Sequence, residues 1–340
     1  MRLAAKILRE AALVGAALMV GLAIGGLVAV FFDAPPLGFL VDMVLSARHL
    51  PDMVVEYTAL LALTATAFAI PLHAGLFNIG AEGSFYAGAL VALMVGVKTG
   101  SLLLALLLGT LAGVIVTGVA GALRVWLGVN EVLSTIMINW VMYWVMLYLV
   151  VDALADPVFT QRTVKVPREA RLPWINVAGV DIPSTIIVSA VIIVGVWVFL
   201  RMTRYGLLLR VVGANEEAAR MRGVNVGLYR LASMLIAGGL AGLAGSLHIV
   251  GFSYSIDVLG GTVRNYGFNG IGVALMGRND PLGILAASLL FSSLLAGSQV
   301  VEPIYKVPKE AADLVIGIVI ILLSAPTVFT IIRSRLGGGR

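Results

Sequence analysis

The sequence predicts an all-α membrane protein with about ten transmembrane passages, and three observations carry that prediction. Hydrophobic residues make up 60% of the 340-residue chain and charged residues only 12%, against about 25% charged in soluble domains. The mean hydropathy of +1.03 is that of a chain whose core is shared with lipid. Apolar windows almost free of charge recur along the whole length. Residues 1–340 therefore read as a single transmembrane domain, with no room for a separate soluble one.

The first passage is 11–32, about 22 residues, too long for the apolar region of a cleaved signal and long enough to span. It reads as an uncleaved anchor. Further passages are expected at 53–72, 77–97, 101–123, 132–151, 184–200, 229–250, 267–277, 282–300 and 311–332. The eighth falls short of the roughly 20 residues that a bilayer requires. It reads as a half-helix completed by the preceding stretch, 253–266.

Basic residues set the orientation. Arg2, Lys6, Arg9, Arg124, the arginines of 201–230, Arg278, Arg333, Arg335 and Arg340 fall on one side, which places both termini in the cytoplasm. Arg162, Lys165, Arg168 and Arg171 lie on the other side, in a proline-rich external loop at 152–183. That loop is either an ordered connector or a contact for an external partner. LFNIGAEGSFYAG at 76–88 echoes GFNGIGVALMG at 267–277, in opposite orientations across the membrane. Such an echo is the mark of an inverted-topology repeat.

Two passages open on polar, glycine-interrupted stretches. Asn78 and Glu82 lie four residues apart, so a helix puts them on one face. A carboxylate within a membrane segment faces a cavity or a partner rather than lipid. The pair is therefore either part of a substrate path and its gate or a polar staple between helices. In GVNEVLSTIMIN, 128–139, Asn130 is placed to cap a helix that Glu131 would favour electrostatically. Asn139 lies deeper among apolar neighbours, where an Asn bonds another helix or faces a pore. The pairs Gly21/Gly25, Gly109/Gly113 and Gly238/Gly242 permit close helix crossing within the bundle.

Other chemistry is excluded. With no cysteine there is no disulfide or thiolate site. His49, His73 and His248 are scattered without ligand spacing, so no metal site and no cofactor are expected. No catalytic Ser/His/Asp set is evident, and the net charge of +5 marks membrane topology rather than nucleic-acid binding. No G-x-x-x-x-G-K-[ST] loop exists, so ATP-driven work would need an ATPase on another polypeptide.

The segment 201–228 is the conspicuous polar loop between passages, and its basic run extends to Arg230. Asn215 can cap a short helix opened by Glu216 and Glu217 and closed by Arg220, Arg222 and Gly223. This helix either docks a partner or is a well-capped surface turn.

Glu217-Ala218-Ala219 followed by Gly223 resembles the EAA-x-x-x-G coupling loop of ABC-importer permeases. GLFNIGAEGSFYAGA at 75–89, GVNEVLSTIMIN at 128–139, VGANEEAARMRGVNV at 212–226 and GFNGIGVALMGRNDPLGI at 267–284 together resemble, in order and spacing, the permeases of nucleoside importers. Those belong to the branched-chain amino-acid and simple-sugar permease superfamily, and the likeness covers nearly everything beyond about residue 53. It implies a multi-pass permease of a prokaryotic plasma (inner) membrane, in contact with lipid, that forms half of a translocation pore. Its implied partners are a separate ATP-binding subunit, a second permease in a homo- or heterodimer, and an extracytoplasmic substrate-binding lipoprotein. Asn215, Glu216, Glu217, Ala218, Ala219, Arg220 and Gly223 would couple to the ATPase. Asn78, Glu82, Asn139 and Asn269 would contact substrate. Simple sugars or branched-chain amino acids are the alternative cargo. An ion-coupled secondary transporter and a structural or receptor-type subunit are the rival classes.

Overall fold

The computed structural model describes residues 19–324, apart from 22, 46–47, 160, 178 and 258–264. Both termini, the start of the first expected passage and the end of the last lie outside the described residues. Two compact units divide the chain, Val55–Ser288 and Met1–Val54 with Leu289–Arg340.

Among the described residues, the smaller unit takes in residues 51–54 and all or part of four further elements. These are α1 (Met19–Phe31), α2 (Pro36–Val44), the last part of α12 (Pro281–Tyr305) and α13 (Lys309–Ser324). Gly25 faces Val315 of α13, as the small-residue spacing predicts. The helix α2 is absent from the sequence expectation. At nine residues it is too short to leave a readable period, and Pro36 at its first turn is the local signal that starts it.

The larger unit contains most of α3 (Pro51–His73), then α4 (Ala81–Thr99), α5 (Leu102–Leu127) and α6 (Glu131–Tyr148, extended by a π-turn at Leu149–Ala153). After a short antiparallel hairpin, β1 (Trp174–Val177) and β2 (Val180–Pro183), come α7 (Thr185–Met202), α8 (Arg204–Ala214) and α9 (Glu216–Met221). It ends with α10 (Val226–His248, extended by a π-turn at Ile249–Ser253), α11 (Tyr266–Met276) and the start of α12. Side-chain caps set the helix starts. Ser101 accepts from Leu104 N–H, Asn130 from Val132 and Leu133, and Asn225 from Leu228. Gly128 ends α5 in the left-handed conformation.

Six helices among the described residues are long and apolar enough to cross a membrane: α3, α5, α6, α7, α10 and α12. Their surfaces invert the pattern of a soluble bundle. On α5 the exposed residues include Leu103, Leu107, Leu111, Ile115 and Val119, while Gly109, Gly113 and Thr117 are buried. On α6 Leu133, Met137, Trp140 and Trp144 face outward, while Ser134, Thr135 and Asn139 are buried. Large apolar residues outside with small and polar residues inside is the arrangement for helices solvated by lipid.

The interior is built on α4, α5 and α10, which cross through glycine. A Cβ on Gly88 of α4 would overlap the Gly242 carbonyl of α10, and one on Gly242 would lie 2.8 Å from Gly113 Cα of α5. The Gly109/Gly113 and Gly238/Gly242 pairs thus serve packing within one bundle.

The eighth expected passage is corrected in part. Its helix, α11, has eleven residues, and the described part of the preceding stretch does not complete it. Tyr254 adopts φ +59 and ends the α10 π-turn. Residues up to Asp257 then pair with 162–166, through Thr163 N–H to Ile256 O and Val166 N–H to Tyr254 O.

Candidate functional site

The starts of α4 and α11 meet inside the larger unit, and polar side chains from three helices hold them. Residues 74–80 are not helical, so the first backbone amides of α4 need partners. Asn78 Oδ1 accepts from Gly80 N–H at 2.8 Å. Asn139 of α6 places both ends of its amide on this turn, accepting from Gly83 N–H at 2.8 Å and donating to Ile79 O at 2.9 Å. Thr135 receives Ile79 N–H at 3.3 Å.

Glu82 joins the two helix starts. Its side chain is 1% exposed. It accepts from the backbone N–H groups of Asn265 and Gly267 at 2.6 Å and of Phe268 at 3.3 Å, and from the Tyr86 hydroxyl at 2.5 Å. A carboxylate at a helix N-terminus satisfies donors that the helix cannot and complements its dipole. Gly267 permits the contact, because a Cβ there would overlap the Glu82 backbone. Gly270 sits similarly against Thr64 of α3, whose hydroxyl bonds Tyr266 O at 3.0 Å.

A second buried carboxylate lies nearby on α3. Glu56 is fully buried and accepts from the Thr185 hydroxyl at 2.6 Å. Its other oxygen stands 3.5 Å from His248 Nδ1 of α10, beyond a good hydrogen bond, and has no hydrogen-bond partner. His248, 3% exposed, has no hydrogen bond at either ring nitrogen. Aromatic rings run past this pair. Trp174 stacks on Phe252 with centroids 5.9 Å apart, Phe252 on His248 at 6.3 Å, and His248 leans on Tyr266 at 5.3 Å. Tyr266 in turn stacks on Phe85 at 5.0 Å, one turn from Glu82.

The polar segment 201–228 forms two helices, not one. Thr203 caps α8 by accepting from Gly206 N–H, and Asn215 caps α9 by accepting from Ala218 N–H at 2.9 Å. Val212, Ala219 and Val226 form a small core that anchors α9 to α8 and α10. Glu216 turns inward to Arg230 at 2.8 Å and along the helix to Arg220 at 2.6 Å. Burial raises the Glu216 pKa, but the two guanidinium groups outweigh it and hold the carboxyl below its usual 4.5. Gly223 closes the helix with φ +77, which a β-carbon would strain. Glu217, Ala218, Met221 and Arg222 are left exposed, Met221 at 88%. In its last turn, next to α9, α8 touches the turn before α4, where Gly75 and Gly213 meet backbone to backbone.

The structure therefore brings Asn78, Glu82 and Asn139 into one layer, with Asn269 half-buried on the first turns of α11. It gathers Asn215 to Gly223 into a separate surface element. Sequence reasoning missed Glu56 and His248. The signal was a lone carboxylate in an otherwise apolar passage, the same signal that singled out Glu82. Among the described residues, no group of three or more His, Asp or Glu is placed to hold a metal.

The family described as branched-chain amino acid transport system, permease component, matches residues 50–324. The guanosine ABC transporter permease protein NupP of Bacillus subtilis is 31% identical, over 81% of this chain and 80% of its own. The glucose ABC transporter permease protein TsgB13 of Haloferax volcanii is 29% identical, over 94% of this chain and 88% of its own. The nucleoside ABC transporter permease protein NupB of Lactococcus lactis is 27% identical, over 83% of this chain and 82% of its own. No solved structure matches the chain.

Proposed function

The chain belongs to the permease-component family of branched-chain amino acid transport systems, in its nucleoside and simple-sugar branch. It is an ABC-transporter permease and a multi-pass protein of the plasma (inner) membrane, and from that premise we propose that it forms half of the pore of an ATP-driven nucleoside importer. Relatives named for guanosine and for nucleosides support that cargo, as do the FNIGAEG and NEVLSTIM segments. Its partners are a separate ATP-binding subunit, a second permease and an extracytoplasmic substrate-binding lipoprotein. The chain makes about ten passages with both termini, and the loop 201–228, in the cytoplasm. The loop 152–183 lies outside, and the two half-broken segments at 76–88 and 267–277 are an inverted repeat.

The observation that carries this reading is α9. A six-residue helix held from beneath by a small apolar core and the Glu216–Arg230 pair leaves Glu217, Ala218 and Met221 outward. That is a knob braced to receive force. From α9 the braced contacts run through α8 to Gly213 and Gly75, and so to the turn at 74–80 that leads into α4 and Glu82. Movement of α9 by the ATPase shifts the layer at Asn78, Glu82, Asn139 and Asn269. That layer lines the substrate path, and the path opens alternately to each side. The Asn78 amide nitrogen is buried with no hydrogen-bond partner, which makes it a group free to meet a substrate.

The test is co-purification with the ATPase, together with nucleoside uptake. Met221→Glu and Glu217→Ala are expected to weaken both while the permease still reaches the membrane. Normal co-purification and uptake in both variants would contradict the coupling role.

A further inference from the structure

The buried Glu56–His248 pair is left incompletely hydrogen-bonded by the helices around it. A fully buried carboxylate oxygen without a hydrogen bond is costly. So is an imidazole with both nitrogens unbonded. Such groups call for an explanation other than packing, and inside a membrane segment they mark a functional site by default. Their surroundings narrow the choice. Trp174, Phe252, His248, Tyr266 and Phe85 form one continuous run of ring contacts. It leads from the half-exposed Trp174 of the β-hairpin down to the Glu82 layer. The hairpin is tied to the run, since Trp174 Nε1 donates to Gly251 O at 2.9 Å. Thr185, just after the hairpin, holds one Glu56 oxygen and leaves the other turned toward His248.

We infer that this run is a binding site for the flat base of a nucleoside, with Glu56 and His248 reading its hydrogen-bonding edge. The inference rests on the import reading above and adds where the substrate is held and which part of it is recognised. When the site is empty, the rings stack on one another and the edge-reading atoms go unbonded. When substrate enters, ring–ring contacts give way to ring–base contacts, whose strength does not depend on the identity of the base. The free Glu56 oxygen then accepts a ring N–H, and a His248 nitrogen takes the adjacent polar group. A site built to bond an N–H rejects strongly an analogue that lacks it, because its buried acceptor is left unpaired.

The experiment is the concentration dependence of uptake by membranes carrying the complete transporter, with guanosine and 1-methylguanosine as probes. The second probe has a methyl group in place of the ring N–H. In the wild type, KM for 1-methylguanosine should exceed that for guanosine by about tenfold or more. Glu56→Gln and His248→Gln should raise KM for guanosine, leave kcat largely intact and flatten the difference between the probes. Phe252→Leu should raise KM for both probes by about tenfold. If Glu56→Gln fails to reach the membrane, the His248 and Phe252 variants decide. A wild type that imports guanosine while ignoring the methyl group would overturn this site and leave the importer standing. So would variants in which only kcat falls, equally for both probes. A wild type that imports no nucleoside with all partners present overturns the import reading and this inference with it.

Discussion

Glu82 and Asn139 show how one side chain can hold a helix end inside a packed interior. Hydrogen bonds to a charged group contribute about 1.5–3 kcal/mol each when made, and a buried donor left without one costs about 1–3 kcal/mol. Glu82 accepts from three backbone amides at the start of α11, those of its N-cap Asn265 and of Gly267 and Phe268. A Gln of the same size offers one acceptor and turns an NH2 group toward donors. Glu82→Gln is therefore expected to cost about 2 kcal/mol or more, seen as a lower thermal midpoint of the purified permease. An unchanged midpoint would mean that α11 does not depend on this cap. Asn139→Leu strands Gly83 N–H and Ile79 O in the interior. Its expected effect is a fall in the amount of folded protein in the membrane, quantified by fluorescence-detected gel filtration. Full accumulation with impaired uptake would instead place the Asn139 amide on the substrate path alone.

Among elements, the α4–α5–α10 contact and the α8–α9 pair make separate demands. Gly242→Val puts a branched side chain where Gly113 Cα stands 2.8 Å from a Cβ, which a close-packed interior cannot absorb. Accumulation should collapse, whereas Gly195→Ala on α7, with open space around it, should be neutral. Equal behaviour of the two variants in an expression assay would contradict the close crossing. The α9 anchor is electrostatic as well as apolar. Because the folded Glu216 has a depressed pKa, its contribution is fully present above the ordinary 4.5 and is lost as pH falls through the lower folded value. Co-purification with the ATPase should therefore be insensitive to pH from neutrality down to about 5 and weaken only in stronger acid. In Glu216→Gln it should be weak at every pH. The long passages were legible because apolar runs and capping residues are local. Expected 53–72 became Pro51–His73, and expected 184–200 became Thr185–Met202. The Glu82 cap of α11 was not, since it joins residues 183 positions apart. Nor was the hairpin at 174–183, whose strands have four residues each.

For the molecule as a whole, the outward leucines and tryptophans of α5 and α6 and the inward glycines specify a lipid-solvated helical bundle without reference to any relative. The candidate site was half legible. Asn78, Glu82 and Asn139 stood out as polar residues in apolar passages and do form one layer. Glu56 and His248 become a pair only when α3 and α10 are packed side by side. Family membership supplies the class of machine, and the braced α9 is the place where we propose that an ATPase acts on it. The most direct measurement is uptake of labelled guanosine into proteoliposomes that carry the chain, its second permease and the ATP-binding subunit, with the binding lipoprotein outside and ATP within. Accumulation that requires ATP and disappears in Met221→Glu is the predicted result. Accumulation that persists without the ATP-binding subunit, driven by an ion gradient, would contradict it.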